Sequence, residues 1–261
     1  MVIFNEANVV NILETCLFAA SACQALDDSV IDLLDYALRH LNLLCSGEIN
    51  STHFLGHDQG LDKDTIDKWT MESVLDELKR LRHEVTFQIA IKCISIVRYL
   101  TDHVELLPLG ALTRMTVNND LPIMLCQLLE SKPWLEHPGR ARFFDGTAWT
   151  EYLDQDLPKI EAQVWIALYN LLSKKVCSEK YQLHHYRLNI LCKMAGEIND
   201  WTIRQLPILE KLKEWLLRLS VVKPQAEAAK DLIMIESVAE IRTALEERYA
   251  KRYEDIAQDQ V

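Results

Sequence analysis

Residues that interrupt helices are rare in this sequence, and their scarcity limits the folds that it can adopt. The 261 residues include only 7 Gly and 7 Pro, whereas average usage would give roughly 18 and 13. The hydrophobic fraction is 49% and the charged fraction 26%, which excludes the disordered and collagen-like classes. The composition therefore predicts long helices with short connections, and it argues against a turn-rich β-sandwich or barrel.

Apolar residues recur at three- and four-residue spacing along most of the chain, which is the pattern of amphipathic helices. We predict a first helix capped by Asn5, and a second that begins at Asp27 or Asp28 and ends at Gly47. Residues 64–103 contain almost no breaker, so they predict one long helix or two stacked end to end, with a buried second half. The predicted inward-facing residues elsewhere are Val9, Ile12, Leu13, Cys16 and Leu17, then Val30, Leu34, Leu38 and Leu41, then Ile160, Val164, Trp165, Leu168, Leu171 and Leu172, and finally Leu209, Leu212, Leu216 and Leu219.

Capping residues and prolines mark further helix starts along the second half of the chain. The predicted starts are Pro108, the Asn118–Asp120 turn before Pro122, Asp156, Ser178, Asp200 and Leu206, with a capping box of Ser237 and Glu240 for the last helix.

Two segments depart from the helical pattern. Residues 46–62 are polar and rich in glycine, and we predict a flexible loop there. The pair Asp145-Gly146 lies between aromatic and β-branched residues, which is the signature of a two-residue hairpin turn. We therefore predict a small β-hairpin over about 141–150 that projects from a helical body.

The predicted fold class is all-α, an armadillo/HEAT-like irregular helical array with one small β-hairpin insertion, formed as a single domain over 1–261. The recurring unit is two or three helices joined by turns that carry Pro or Asn/Asp. The letters show no strict repeat period, so a compact irregular helical bundle is the competing architecture.

The negative charge is concentrated near the N-terminus. The chain carries a net charge of −11, and residues 1–60 hold eight acidic residues and one basic residue, Arg39. A phosphate backbone would be repelled, so we expect no nucleic acid partner. The acidic segment is either a solvated face or a face that meets a basic partner.

The residues that carry chemistry form no catalytic or metal-binding pattern. The seven cysteines include no C-x-x-C pair, and most lie in apolar helical stretches typical of buried thiols in a reducing compartment. The adjacent His184 and His185 point about 100° apart on a helix, so they do not converge on one metal. The sequence also has no glycine-rich phosphate loop and no apolar run long enough to span a membrane. We therefore expect no catalytic, metal or cofactor site, no membrane insertion, and a binding scaffold.

Aromatic residues are the candidates for protein binding, because they dominate interface energetics. The candidates are Trp134, Phe143, Trp149 and Trp201. Trp134 and Trp201 lie beside charged or turn residues, and we expect them to be exposed. Phe144 and Trp149 are expected to fill a local mini-core between the hairpin and the helices.

Several segments together resemble the helical region of the zinc finger MYND domain-containing protein 10 family, a family of dynein axonemal assembly factors. The most specific segments are QVWIALYNLL (163–172) and FDGTAW (144–149). The other matching segments are ANVVNILETCLF (7–18), VRYLTD (97–102), LTRM with NNDLPIMLCQLLE (112–130), SKPW (131–134) and LPILEKLKEWLLRL (206–219).

This resemblance implies a cytoplasmic co-chaperone adaptor for the preassembly of axonemal dynein arms in motile cilia. The implied protein partners are a leucine-rich-repeat dynein assembly factor, an immunophilin co-chaperone and other chaperones, and axonemal dynein chains. The implied locations are the cytoplasm, centriolar satellites and apical cytoplasm. Zinc is expected only in the family's C-terminal MYND finger, which would lie beyond Val261. The alternatives are a helical dimerisation module and part of a MYND-type methyltransferase-related enzyme.

Overall fold

The computed structural model describes residues 2–49, 70–136, 142–146, 149–151, 157–219, 221 and 248. The chain divides into two compact units, Met1–Gln225 and Ala226–Val261, and every described residue except Arg248 lies in the first. The predicted helix at Ser237 and most of the predicted loop at 46–62 lie outside the described residues. The single domain over 1–261 stays a prediction.

Helices dominate the described residues, and they are accompanied by a two-stranded antiparallel sheet, which confirms the all-α class with a small hairpin. No described helix combines the length and the apolar character needed to cross a membrane. In chain order the elements are α1 (Val2–Leu17), α2 (Ala20–Ala25), α3 (Ser29–Cys45), α4 (Val74–Asp102), a 3₁₀ turn (Val104–Leu106), α5 (Leu109–Thr113), a π-helical turn (Arg114–Asn118), α6 (Leu121–Ser131), β1 (Arg142–Phe144), β2 (Trp149–Glu151), α7 (Lys159–Ser173), α8 (Lys175–Ser178), α9 (His185–Glu197), α10 (Asp200–Gln205) and α11 (Ile208–Leu219).

Helix α4 is the central element. It begins after Ser73, whose hydroxyl accepts a hydrogen bond from the Asp76 N–H as an N-cap, and it continues for 29 residues without a break. Helices α1, α3 and α7 all pack against it. The predicted buried second half is confirmed, because ten of the fourteen residues from Phe87 to Leu100 are buried and the other four are partly buried.

The predicted inward face of α1 is only partly right, because Leu17 is buried and Leu13 packs against the core while the other three predicted residues are exposed. It starts at Val2, so Asn5 lies inside the helix and does not cap it. The buried residues are Val10 and Leu17, whereas Val9, Ile12 and Cys16 are exposed. Two apolar faces compete in this sequence, and polar partners distant along the chain select one of them. The Tyr36 hydroxyl donates to Glu6 Oε1 at 2.8 Å, and Lys92 Nζ donates to Glu14 Oε2 at 2.9 Å.

Helix α3 has the predicted inner stripe, with Val30, Leu34, Leu38 and Leu41 buried. Asp28 stands at its N-cap position without a side-chain capping bond. Gly47 follows the last turn with φ +72°, a left-handed conformation that favours glycine.

The turn before α6 lies where it was predicted, but the Asp120 side chain does not cap the helix. Asp120 stands at the N-cap with φ +46°, and its carboxylate makes no capping bond. The Tyr181 hydroxyl donates to Asp120 Oδ1 at 2.7 Å, and Arg187 Nε donates to Oδ2 at 2.8 Å. The carboxylate therefore joins α6 to the segment that leads into α9. Pro122 lies in the first turn of α6, as predicted.

The hairpin is confirmed, with two corrections. Phe144 pairs with Trp149, so four residues connect the strands where the Asp-Gly pair had predicted a two-residue turn. Gly146 within this connection has φ +104°. The hairpin also does not project, because Phe144 is fully buried and its ring centroid lies 5.6 Å from that of Phe87 on α4.

A polar cluster joins the C-terminal ends of α4 and α7. Asn170 Nδ2 donates to Thr101 Oγ1 at 3.3 Å and to Asp102 Oδ1 at 2.7 Å. Lys174 Nζ donates to the carbonyl oxygens of Thr101 and Asp102. The last carbonyls of a helix lack intrahelical partners and carry partial negative charge, so this ammonium group caps α4.

The later helices confirm the predicted stripes but shift two starts. The six predicted inward residues of α7 and the four of α11 are all buried. Ser178 ends the short α8 and caps nothing, because α9 starts at His185. Asn199, one residue before the predicted Asp200, caps α10 through a capping box with Thr202.

Replacing Trp165 with Ala is expected to cost roughly 3–5 kcal/mol of unfolding free energy, because the side chain is only 2% exposed and its removal leaves a cavity between α7 and the core. Urea unfolding followed by circular dichroism measures this cost. Trp201→Ala is the matched control, because Trp201 is 50% exposed and should cost about 1 kcal/mol or less. Equal costs for the two variants would contradict the assigned core.

Tyr181 should make stability depend on alkaline pH. Burial, and then the Asp120 carboxylate, raise the pKa of Tyr181 above its usual value. The unfolded chain therefore ionises first, so this stabilisation is present below about pH 10 and is lost as pH rises above it, by about 1.4 kcal/mol per pH unit. Unfolding free energies measured from pH 8 to about pH 11 should fall less steeply for Tyr181→Phe, while Tyr186→Phe should follow the parent curve. Parallel curves for parent and Tyr181→Phe would show that the tyrosine has no part in the alkaline loss.

Candidate interaction sites

The buried cysteines are poorly suited to nucleophilic chemistry. Burial raises the pKa of both Cys45 and Cys177 to about 11. It also raises the pKa of Cys93 and Cys126, which lie deeper in the core. Since the thiolate is the reactive form, these four thiols stay protonated at neutral pH. In the part of the chain that the structure describes, no three His, Cys, Asp or Glu side chains are grouped as metal ligands.

Trp134 is fully buried, so its predicted exposure is wrong. The Phe144 N–H donates to the Trp134 carbonyl at 2.9 Å, and Leu135 forms a β-bridge with Phe143. These backbone bonds, which local sequence does not reveal, hold the segment after α6 against the hairpin. The Trp134 indole is consequently part of the core and offers no surface to a partner.

The predicted aromatic mini-core is confirmed. The Trp149 ring is nearly parallel to that of Phe87, with centroids 6.5 Å apart and an interplanar angle of 7°. The Phe144 and Trp149 centroids are 5.5 Å apart. Phe143, on the other side of β1, is partly exposed. The structure thus brings Trp134, Phe143 and Trp149 together at the hairpin. Most of the buried area of these side chains is in contact with the chain itself.

Trp201 lies on α10, apart from the hairpin in sequence, and its predicted exposure is confirmed. Half of its side chain is exposed. The Arg204 guanidinium lies 5.1 Å from the ring centroid, in a cation–π contact that leaves the indole edge open to solvent. Its role in partner binding stays a prediction.

A groove lies between α7 and α11. Its volume is about 300 Å³. Two aromatic side chains and two cationic side chains line it, above a floor of leucines. The lining residues are Tyr169, Leu172, Ser173, Ser178, Lys211, Leu212, Glu214, Trp215 and Arg218.

The charged residues that line the groove are two cations, Lys211 and Arg218, and one anion, Glu214. The groove therefore carries a small positive charge on a chain whose net charge is −11. Arg218 Nη2 lies 3.9 Å from Glu214 Oε2, and the two side chains are 80% and 65% exposed. Such exposed pairs contribute little and exchange readily for other partners. The groove therefore presents cations beside aromatic faces, which suits a segment carrying carboxylates and apolar groups.

Sequence reasoning missed this groove, although its signal is visible on α11. The buried leucines of α11 take one face, and Lys211, Trp215 and Arg218 recur at spacings of four and three on the neighbouring face. By default, a tryptophan within a leucine-rich helix is expected to be in the core. The structure places Trp215 half-buried at the groove wall, where an aromatic ring can both pack inward and contact a ligand.

No protein-family model and no solved structure matches the chain. A curated relative does match: the zinc finger MYND domain-containing protein 10 homolog of Drosophila melanogaster is 30% identical over 264 residues. The match covers 99% of this chain and 56% of the relative, so the chain spans about half of the relative's length. Because the similarity extends over nearly all of this chain, it supports membership of the zinc finger MYND domain-containing protein 10 family.

Proposed function

We propose that this chain is a non-catalytic protein-binding scaffold, and that the groove between α7 and α11 holds an acidic segment of a partner protein. The observation that carries the proposal is that Lys211 and Arg218 line the same groove as the aromatic rings of Tyr169 and Trp215. Aromatic and arginine side chains are the residues most often found at the energetic centre of protein interfaces.

The residues that line the groove make two kinds of contribution to binding, charge and apolar surface. Lys211 and Arg218 lie on α11 and supply the positive charges that attract and orient carboxylates. Trp215 and Tyr169 supply apolar area from opposite walls, and the buried Leu172 and Leu212 close the floor. The Ser173 hydroxyl at the end of α7 can donate a hydrogen bond to a backbone carbonyl of a bound segment. The Ser178 hydroxyl already donates to the Lys175 carbonyl, so it can only accept from the segment. An extended acidic peptide with one apolar side chain fits this chemistry.

Family membership supports a place for this scaffold in the preassembly of axonemal dynein arms for motile cilia, as a co-chaperone adaptor. We propose as partners a leucine-rich-repeat dynein assembly factor, an immunophilin co-chaperone and other chaperones, and axonemal dynein chains. The proposed locations are the cytoplasm, centriolar satellites and apical cytoplasm. The rigid helical core built around α4 suits an adaptor, because it holds binding surfaces at fixed positions.

The proposal is tested by capture of the candidate partners with the purified chain. The parent should bind at least one of the three partner classes, and Lys211→Glu/Arg218→Glu should weaken that binding by about tenfold, since two attractive contacts become repulsive. Biolayer interferometry gives the dissociation constants. Lys193→Glu, a charge reversal at an exposed site on α9, is the control and should bind like the parent.

The two levels of the proposal fail separately in this experiment. If the parent captures none of the candidate partners, the role in dynein arm assembly is wrong for this part of the family. If the parent binds a partner and the groove variant binds equally well, the scaffold role stands and the assignment of the groove is wrong.

Two alternatives from the sequence are separated by simple measurements. A helical dimerisation module would show twice the monomer mass in light scattering at high concentration, whereas the proposed scaffold needs no self-association. A MYND-type methyltransferase-related enzyme would bind S-adenosylmethionine in calorimetry, and heat from that titration would replace the scaffold by an enzyme.

A further inference from the structure

The outward face of α3 is an acidic ridge. We use this name for Asp28, Asp32 and Asp35, which recur at spacings of four and three on the side of α3 opposite its buried stripe. Asp28 and Asp32 are exposed, and the Asp35 side chain is 40% exposed. Three of the eight acidic residues of 1–60 thus lie on one helix face. Arg39 at the far end of the same face is the basic residue of α3.

A row of exposed apolar side chains runs along the segment next to α3. We name Leu106, Leu109 and Val117 the apolar row, and their side chains are 50%, 66% and 56% exposed. They lie on the 3₁₀ turn, on α5 and on the π-helical turn that follows it. Val117 is exposed within the π-helical turn, while Met115 and Thr116 beside it are buried. Turns of this kind occur often at functional sites.

The acidic ridge and the apolar row belong to one continuous surface. A Cβ atom on Gly110 would lie 3.0 Å from Ile31 Cδ1, so the missing side chain lets α5 approach α3 closely. Farther along, Arg114 Nη2 lies 3.7 Å from Asp35 Oδ2 and ties the π-helical turn to the ridge. The two contacts align α5 and the turn with α3, so that apolar and acidic side chains run side by side.

We propose that this surface binds an amphipathic helix of a partner protein that carries Lys or Arg beside its apolar stripe. An isolated apolar row could take many partners, but the flanking carboxylates select a basic one and disfavour an acidic one. Arg39 and Arg114 are the cations on this surface, and Arg114 is already paired with Asp35. Asp27, which precedes Asp28, and Glu105, which precedes Leu106, are also exposed and add further negative charge to this surface.

This surface is separate from the groove that takes the acidic segment. Helix α3 packs on α6, α6 on α7, and α7 on α11, so two helices stand between the acidic ridge and the helix that carries Lys211 and Arg218. A scaffold with oppositely charged sites on different helices can hold two partners of opposite charge at once. The basic-helix site does not depend on the groove, and each can fail without the other.

The probe is a synthetic peptide of about 18 residues, long enough to be helical when bound, with Leu along one face and Lys along its flanks. Fluorescence anisotropy with the whole chain should show saturable binding that weakens as salt rises. Asp28→Asn/Asp32→Asn and, separately, Leu109→Gln should each raise the dissociation constant by about tenfold. All three substitutions are at exposed positions, and circular dichroism and melting curves confirm that each variant is folded.

Matched controls fix the location of the binding. Glu197→Gln/Glu210→Gln removes two exposed carboxylates elsewhere, and Leu78→Gln removes an exposed leucine of α4, and both should leave the dissociation constant unchanged. A peptide of the same composition with scrambled order, and one with Glu in place of Lys, should bind at least tenfold more weakly. The proposal is overturned if the parent chain does not bind the Lys peptide, or if the variants of the acidic ridge and the apolar row bind it as tightly as the parent. It is also overturned if the control variants lose as much affinity for the peptide as the ridge and row variants do.

Discussion

The burial of α4 on all sides over its second half is the constraint on which the rest of the structure depends. A helix that is apolar nearly all round can be stable in water only if other elements cover it completely. Helices α1, α3 and α7 and the hairpin provide that cover, and each brings one apolar face to α4. Helices α2, α5, α6, α8 and α11 pack on these covering helices, and α9 and α10 form an outer layer on α6 and α11.

At the C-terminal end of α4 the last backbone carbonyls have no intrahelical partner, so they need hydrogen-bond donors from elsewhere. Lys174 Nζ, at the end of α7, donates to the carbonyls of Thr101 and Asp102, and Asn170 Nδ2 donates to the side-chain oxygens of the same two residues. Asp102, which ends α4, is itself paired with Arg98 at 3.0 Å. The C-terminal ends of α4 and α7 are therefore held together by directional bonds, and this fixes the relative position of α7. Helix α11 packs on α7, so the geometry of the groove follows from the same polar cluster.

Sequence patterns predicted those parts of the fold that depend on local repetition. The leucine stripes of α3, α7 and α11 and the continuous α4 are set by residues close together in the chain, and they were found. The face of α1 was only partly found because Val9 and Ile12 are as apolar as Val10, and the choice is made by Tyr36 and Lys92 on other helices. Trp134 was misjudged for the same reason, since backbone bonds to the hairpin bury it. The groove escaped notice because its walls come from segments about 40 residues apart in the sequence.

The distribution of charge separates residues that hold the fold together from residues that the two proposed sites use. Carboxylates within the helical body are held by specific partners, as Asp120 is by Tyr181 and Arg187, and such groups position elements and are not available to a ligand. Asp28 and Asp32, by contrast, point outward from α3, and Lys211 and Arg218 outward from α11. Like charges placed on one ridge repel one another and lower stability slightly. Asp28 and Asp32 at the start of α3 and Arg218 in the last turn of α11 offset this cost, because each charge complements the dipole of its helix. The same outward charges are the groups that the two proposed sites use to attract partners of opposite charge.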